Sequence, residues 1–310
     1  MPAGYNMPKI VIIGNSSAGF FCSDAFLKNL KDPDLTIISQ EDTLPYKKNL
    51  LIDYLAGNIK EAGLFLCPKD FYEKNKIKFL KNSKVVRVDI KKQLVVLKDN
   101  AKINYDYLVI ATGANVDILD IPGKTKNGVF AFYSLQEAVK IKERLMISDD
   151  VCIVGSTPLA LRLGEIFAQK NKHVKIILSI QPQDFVGREN LEWLSNLQLT
   201  EIIGEGAELK ALKLNNGKVI GASLILFTGN FIPATQFLKE TQIRLDKNYI
   251  MVDGMMRTNF ENIFACGSVC RNQNNLDQQK SWDEAKAEGI LVSENLINLI
   301  SAPANNSITQ

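Results

Sequence analysis

The 310-residue chain carries 37 basic and 34 acidic side chains, a net charge of +3, and is 46% hydrophobic. It holds enough apolar material for a sizeable core and a two-domain organisation. The charge balance gives no basis for a nucleic-acid or anionic-membrane partner, and no apolar run is long enough to span a bilayer.

The chain opens on MPAGYN, read as a short disordered leader with Met7 as an alternative start, because the first strand begins almost at once. Residues 9–19, KIVIIGNSSAG, are an apolar strand, a Gly-led turn and the start of a helix over 16–30. In that helix Ala18, Phe21, Cys22, Ala25 and Phe26 fall on one face, toward a sheet, and Pro33 closes it. A second strand at 35–38 leads to Gln40 and Glu41, where an acidic side chain can bond ribose hydroxyls. This is the layout of a dinucleotide-binding βαβ unit, in which glycines let the backbone approach a pyrophosphate at a helix N-terminus. Lys74, Lys76, Lys78 and Lys81 read as a solvated face.

Residues 83–110 alternate as a β-meander and end on a buried strand and the small-residue turn Ala111, Thr112, Gly113. DIPGK, around Pro122 and Gly123, reads as a crossing segment. A helix follows over 134–145, with Ser134 and Glu137 at capping-box spacing. VCIVGSTPLA, residues 151–160, then repeats the strand–glycine–helix pattern, with Pro158 in the first helical turn. After it come a strand at 174–178, further strands with a hairpin turn at Asn216-Gly217, the strand of IFACGSV, and a helix over 282–300 ahead of a polar tail.

The five cysteines, Cys22, Cys67, Cys152, Cys266 and Cys270, are scattered and make no Cys-x-x-Cys pair or zinc-type grouping. They point to a reducing compartment, hence the cytoplasm. Cys22 and Cys152 read as small buried hydrophobes, and His173, the only histidine, reads as structural. No catalytic side chain and no metal ligand is expected.

Taken in order, KIVIIGNSSAG, LPYKKNLLIDYLAG, YDYLVIATGA, GVFAFYSLQEA, VCIVGSTPLALRLGE, TNFENIFACGSV and SWDEAKAEG resemble the FAD- and NAD(P)-dependent pyridine nucleotide-disulfide oxidoreductase family. Within it the chain looks most like rubredoxin and ferredoxin reductases and the flavin portion of NADH-dependent nitrite reductases. The resemblance implies an α/β fold of two Rossmann-like, three-layer domains, with an NAD domain at 118–246 inserted into a discontinuous FAD domain at 1–117 and 247–310. It also implies that the C-terminal interface domain of full-length relatives is absent.

By the same resemblance, Gly14, Ser16, Ser17, Ala18 and Gly19 would hold the FAD pyrophosphate, with Ser16 in place of the middle glycine. Gln40 or Glu41 would meet the ribose, Lys48 would pair with a phosphate, and Ala111, Thr112 and Gly113 would lie against the cofactor. Ser268, after Gly267, replaces an Asp of the relatives that bonds the flavin's sugar chain. In the NAD unit Gly155 is kept, Thr157 replaces the middle glycine and Ala160 the third. Arg162 stands where relatives carry a Glu, and Ser179 where an acid would mark NAD. The function implied is a flavin-dependent NAD(P)H oxidoreductase using FAD and NAD or NADP, with a rubredoxin- or ferredoxin-like protein as electron acceptor. The alternative is an NAD-blind or non-catalytic flavoprotein-like subunit of a larger electron-transfer complex. A thiol-disulfide reductase ranks last, because its cysteine pair is missing.

Overall fold

The computed structural model describes residues 7–155, 158–178, 188–272 and 280–301. Residues 1–6, expected to be a leader, the residues after Ser301, Thr157 and Ser179 lie outside the described residues. In chain order the first elements are β1 (Ile10–Ile13), α1 (Ser17–Asn29), β2 (Leu35–Ile38), α2 (Leu51–Ala56), α3 (Phe71–Lys74) and β3 (Lys78–Leu80). Next come β4 (Val85–Asp89), β5 (Leu94–Leu97), β6 (Lys102–Asn104), β7 (Tyr107–Ile110), β8 (Ala114–Val116) and β9 (Val129–Ala131). The middle of the chain forms α4 (Leu135–Leu145), β10 (Asp150–Val154), α5 (Pro158–Gln169), β11 (His173–Leu178), β12 (Leu191–Ser195), β13 (Leu199–Glu205) and β14 (Glu208–Leu214). Then follow β15 (Val219–Gly221), β16 (Leu224–Phe227), β17 (Phe231–Pro233), β18 (Leu245–Asp246) and β19 (Tyr249–Val252). The last elements are β20 (Ile263–Ala265), β21 (Cys270–Asn272) and α6 (Trp282–Ser301).

These elements form two compact units, one from Met1–Lys47, Phe65–Ala114 and Pro233–Gln310, the other from Lys48–Leu64 and Asn115–Ile232. In the first unit a parallel sheet has the order β20-β7-β1-β2-β3. Its central strand is Ile-Val-Ile-Ile and fully buried, because a parallel strand covered on both faces needs a continuous apolar run rather than an alternating one. Ala18, Cys22 and Phe26 of α1 share the core with Val292 and Leu296 of α6. Phe21 departs from the expected buried face. It is half-buried, with its ring edge-on to Trp282 at 5.6 Å, because α6 occupies that flank of α1. The expected meander is the antiparallel sheet β4-β5-β6, which delivers the chain to β7 beside β1.

The second unit repeats the plan. Its parallel sheet runs β12-β11-β10-β16-β9, and an antiparallel sheet β13-β14-β15 turns at Asn216-Gly217, with Gly217 at φ +83°. Ser134 caps α4, its Oγ accepting from the Glu137 N–H at 3.1 Å. In the crossing segment the Pro122 carbonyl accepts from Ile202 N–H at 2.9 Å. Both units therefore have the α/β parallel-sheet build that the strand–glycine–helix repeats imply. Among the described residues no helix is long and apolar enough to cross a membrane.

Candidate nucleotide-binding site

In the first unit the candidate residues gather at the C-terminal ends of β1, β2, β7 and β20, four neighbouring strands of one parallel sheet, which is where ligands of open α/β sheets bind. Gly14 leaves β1 at φ +110°, a conformation that L side chains rarely adopt. Its N–H donates to the Ile38 carbonyl at 2.8 Å, and a Cβ there would run into the Ala111 carbonyl oxygen. Ser16 is the N-cap of α1, with extended backbone and no side-chain cap bond. Ser17 opens the helix and its Oγ donates to the Trp282 carbonyl at 3.0 Å. A Cβ on Gly19 would strike the Gly14 carbonyl, so this glycine lets the helix start tight against the turn. The first N–H groups of a helix have no partner within it, and they carry partial positive charge toward an incoming anion.

Beyond β2, Glu41 accepts from the Tyr46 hydroxyl at 2.8 Å, while Gln40 is exposed. The turn after β7 is tied down: Ala111 N–H donates to Ile13 O at 2.8 Å, Thr112 Oγ1 to Ala234 O at 2.9 Å, and Ala234 N–H to Gly113 O at 3.0 Å. Gly267, at φ +78°, sits where a Cβ would come within 3.1 Å of Ala18 Cβ, and Ser268 beside it is half-buried. The turns around Gly14, Ala111 and Gly267 thus converge on the start of α1. Lys48 belongs to the second unit, where its Nζ lies 3.9 Å from the centre of the Tyr133 ring.

Several residues of this site are not legible in the sequence motifs. Glu288 accepts from the Gly267 N–H at 2.8 Å, and Lys280 Nζ contacts Glu288 at 2.7 Å and donates to Gly267 O at 3.1 Å. The Lys280 side chain is 8% exposed. This buried ion pair therefore grips both polar groups of the Gly267 backbone. Burial works against the Lys280 charge, but Cys270 and Glu288 outweigh it and the net pKa shift is upward. Gly289, one residue on, meets α1 so closely that a Cβ would strike the Ala18 carbonyl. A glycine inside a long helix was the available signal, since it costs about 1 kcal/mol unless packing requires it. Asn15 accepts from the Tyr72 hydroxyl at 2.8 Å, a partner 57 residues away that no local pattern points to.

The second unit repeats the strand–turn geometry. Gly155 has φ +150° and donates to Ile177 O at 3.2 Å, and a Cβ there would run into Thr228 Oγ1. Ala160 is fully buried on α5, so a small residue suffices at the third position. Thr157 falls outside the described residues. Arg162 pairs with Asp53 of α2 at 3.2 Å.

The sequence matches the pyridine nucleotide-disulphide oxidoreductase family over residues 8–289. The chain belongs to that family. Family relatives include apoptosis-inducing factor 3 of Homo sapiens, 26% identical over 318 residues that cover 95% of this chain and 52% of the relative. NADH-rubredoxin oxidoreductase of Clostridium acetobutylicum is 28% identical over 263 residues, covering 84% of this chain and 68% of its own length. Among solved structures, a covalent putidaredoxin reductase–putidaredoxin complex superposes with a TM-score of 0.86 at 20% identity, over 94% of this chain and 76% of that one. The chain spans about half the length of the apoptosis-inducing factor 3 relatives from human and mouse.

Proposed function

We propose that the chain is a flavin-dependent NAD(P)H oxidoreductase that passes electrons from a nicotinamide cofactor through FAD to a small redox protein in the cytoplasm. One observation carries the reading. The first unit's glycine turn brings the start of α1 tight against the ends of β1 and β7, so closely that a Cβ at Gly14 would strike the Ala111 carbonyl and one at Gly19 the Gly14 carbonyl. The residues fit the group: unpaired helix-start N–H groups suit a pyrophosphate, and Glu41, braced by Tyr46, suits a ribose. The names of two relatives, NADH-rubredoxin oxidoreductase and rubredoxin-NAD(+) reductase, support the choice of donor and acceptor. The scattered free cysteines support a reducing compartment.

Bound FAD would supply the chemistry, accepting a hydride and releasing electrons singly or in pairs. The chain's part is to bind and orient. Gly14, Ser16, Ser17, Ala18 and Gly19 receive the FAD phosphates, with Ala111, Thr112 and Gly113 lying against the cofactor. Gly267 and Ser268 meet the flavin's sugar chain, held by Lys280 and Glu288. Lys48 and Gln40 remain candidates for a phosphate and a ribose, and Gly155 and Thr157 for the NAD(P) pyrophosphate. No proton-transfer histidine is required, in keeping with a chain whose only histidine, His173, is the first residue of β11.

The test is a visible spectrum of the purified protein, followed by anaerobic addition of NADH or NADPH. A flavin spectrum that either nucleotide bleaches is the expected result. A second reading, an NAD-blind subunit of an electron-transfer complex, is favoured by Arg162, whose guanidinium is engaged with Asp53 where the family carries an acid. It predicts a bound flavin that neither nucleotide reduces. A colourless protein that takes up no added FAD overturns both.

A further inference from the structure

We propose that the buried pair Lys280–Glu288 is a positioning device that makes the site selective for the flavin half of FAD, acting through the Gly267–Ser268 peptide. The inference rests on the reading of the first unit as the flavin-binding one, with Ser268 at the sugar chain.

Burying an ion pair is a poor way to stabilise a fold, because desolvation offsets most of the attraction and apolar side chains of like size often do as well. This pair is buried all the same, with side chains 8% exposed at Lys280 and 19% at Glu288. Its hydrogen bonds show what it holds. Glu288 Oε2 accepts from Gly267 N–H at 2.8 Å, and Lys280 Nζ donates to Gly267 O at 3.1 Å. The same carbonyl accepts from Cys270 N–H at 3.1 Å and from the Cys270 thiol at 3.4 Å, while Lys280 Nζ lies 3.5 Å from that sulfur. Gly267 has φ +78° and no side chain to hold such a conformation, so its two peptide groups are held by the pair instead.

The neighbouring elements fix where the pair sits. Glu288 reaches Gly267 because the next residue, Gly289, lets α6 press on the carbonyl of Ala18 in the first turn of α1. The pair thus carries the position of α1 across to the Gly267 turn. In a trans peptide the C=O and the following N–H point in opposite directions, so fixing the Gly267 carbonyl turns the Ser268 N–H away from the pair. Among the described residues neither that N–H nor the Ser268 hydroxyl has a hydrogen-bond partner. Ser268 brings only a short neutral side chain, and what it can offer a ligand depends on where the turn sets it. The competing account is that the pair only fastens α6 to the turn.

The double variant Lys280→Met/Glu288→Met separates the two. It removes one charge of each sign and leaves the net charge of the site unchanged, and it keeps side-chain bulk while Gly267 loses both partners. Flavin-free protein of wild type, the double variant, Glu288→Ala and Glu288→Gln is titrated with FAD by flavin-fluorescence quenching and with ADP by calorimetry, and each is melted alone. ADP meets the first glycine turn, whereas only the flavin half of FAD reaches Ser268. The FAD Kd should therefore rise about 10-fold in the double variant, with the ADP Kd close to wild type. Glu288→Gln keeps an acceptor for the Gly267 N–H and should retain more FAD affinity than Glu288→Ala. If the double variant does not fold, the two single variants decide by the same comparison. A fastening role alone would lower the melting point and leave the ratio of FAD to ADP affinity at its wild-type value. That ratio unchanged in the folded variants overturns the proposal. Wild-type protein that binds no FAD overturns the flavin reading itself, and this assignment with it.

Discussion

Cys22, Cys152, Cys266 and Cys270 are buried, and desolvation pushes the Cys152 and Cys270 thiols up to about 12. Cys67, partly exposed, is pushed to about 11 by burial and by Asp24. Thiolates are the reactive species, so a disulfide reagent at pH 8 should find no fast-reacting thiol in the native protein and all five after unfolding. One rapid native equivalent would contradict this account. Glu208 behaves oppositely. Bonds from Asn127 at 2.7 Å and Arg144 at 3.0 Å hold its carboxyl below the ordinary value of 4.5. A carboxyl depressed by folding adds stability above its ordinary value and loses it as pH falls through the depressed one. The stability gap between wild type and Glu208→Gln in urea should therefore be widest near neutrality and close below pH 4.5. At this scale the sequence is only half legible. The glycine spacing exposes Gly14 and Gly19, and the end of the second strand exposes Glu41. The Tyr72–Asn15 and Lys280–Glu288 pairs stay hidden, because they join segments that only the tertiary fold brings together.

Among the elements, α1 packs directly on α6, and Gly289 sets how closely the two approach. Adding a Cβ at Gly289 forces backbone apart from the Ala18 carbonyl, so Gly289→Ala should cost about 1–3 kcal/mol in denaturant unfolding. Gly254→Ala, where a new Cβ meets nothing within 4 Å, should be neutral or stabilising by up to about 1 kcal/mol. Equal effects at the two positions would refute the packing argument. At the start of α4, Ser134→Ala removes the acceptor for Glu137 N–H and should cost about 1 kcal/mol. This cap, both βαβ units and the meander are readable from sequence because each depends on local period and turn chemistry. The flank of α1 around Phe21 is not, since α6 arrives there from the far end of the chain.

For the molecule as a whole, a ligand that binds only folded protein raises stability by mass action. FAD at about 100 times its Kd should add about 2.7 kcal/mol and raise the melting temperature by several degrees, whereas no shift at any FAD concentration would count against a cofactor site. The fold class and the duplicated architecture follow from the order of strands, glycine turns and helices. Where the chain divides is less plain, because Lys48–Leu64 joins the second unit although it lies between pieces of the first. That interleaving has a consequence for synthesis. On the ribosome β1, β2, β3 and β7 emerge early, but β20, which closes the edge of β7, and α6, which covers α1, are translated only after all of Asn115–Ile232. The nascent first unit must wait with an open sheet edge, the kind of surface that invites mispairing. The unit begun first is the last to be finished, and its cofactor can be loaded only once the second unit has already left the exit tunnel.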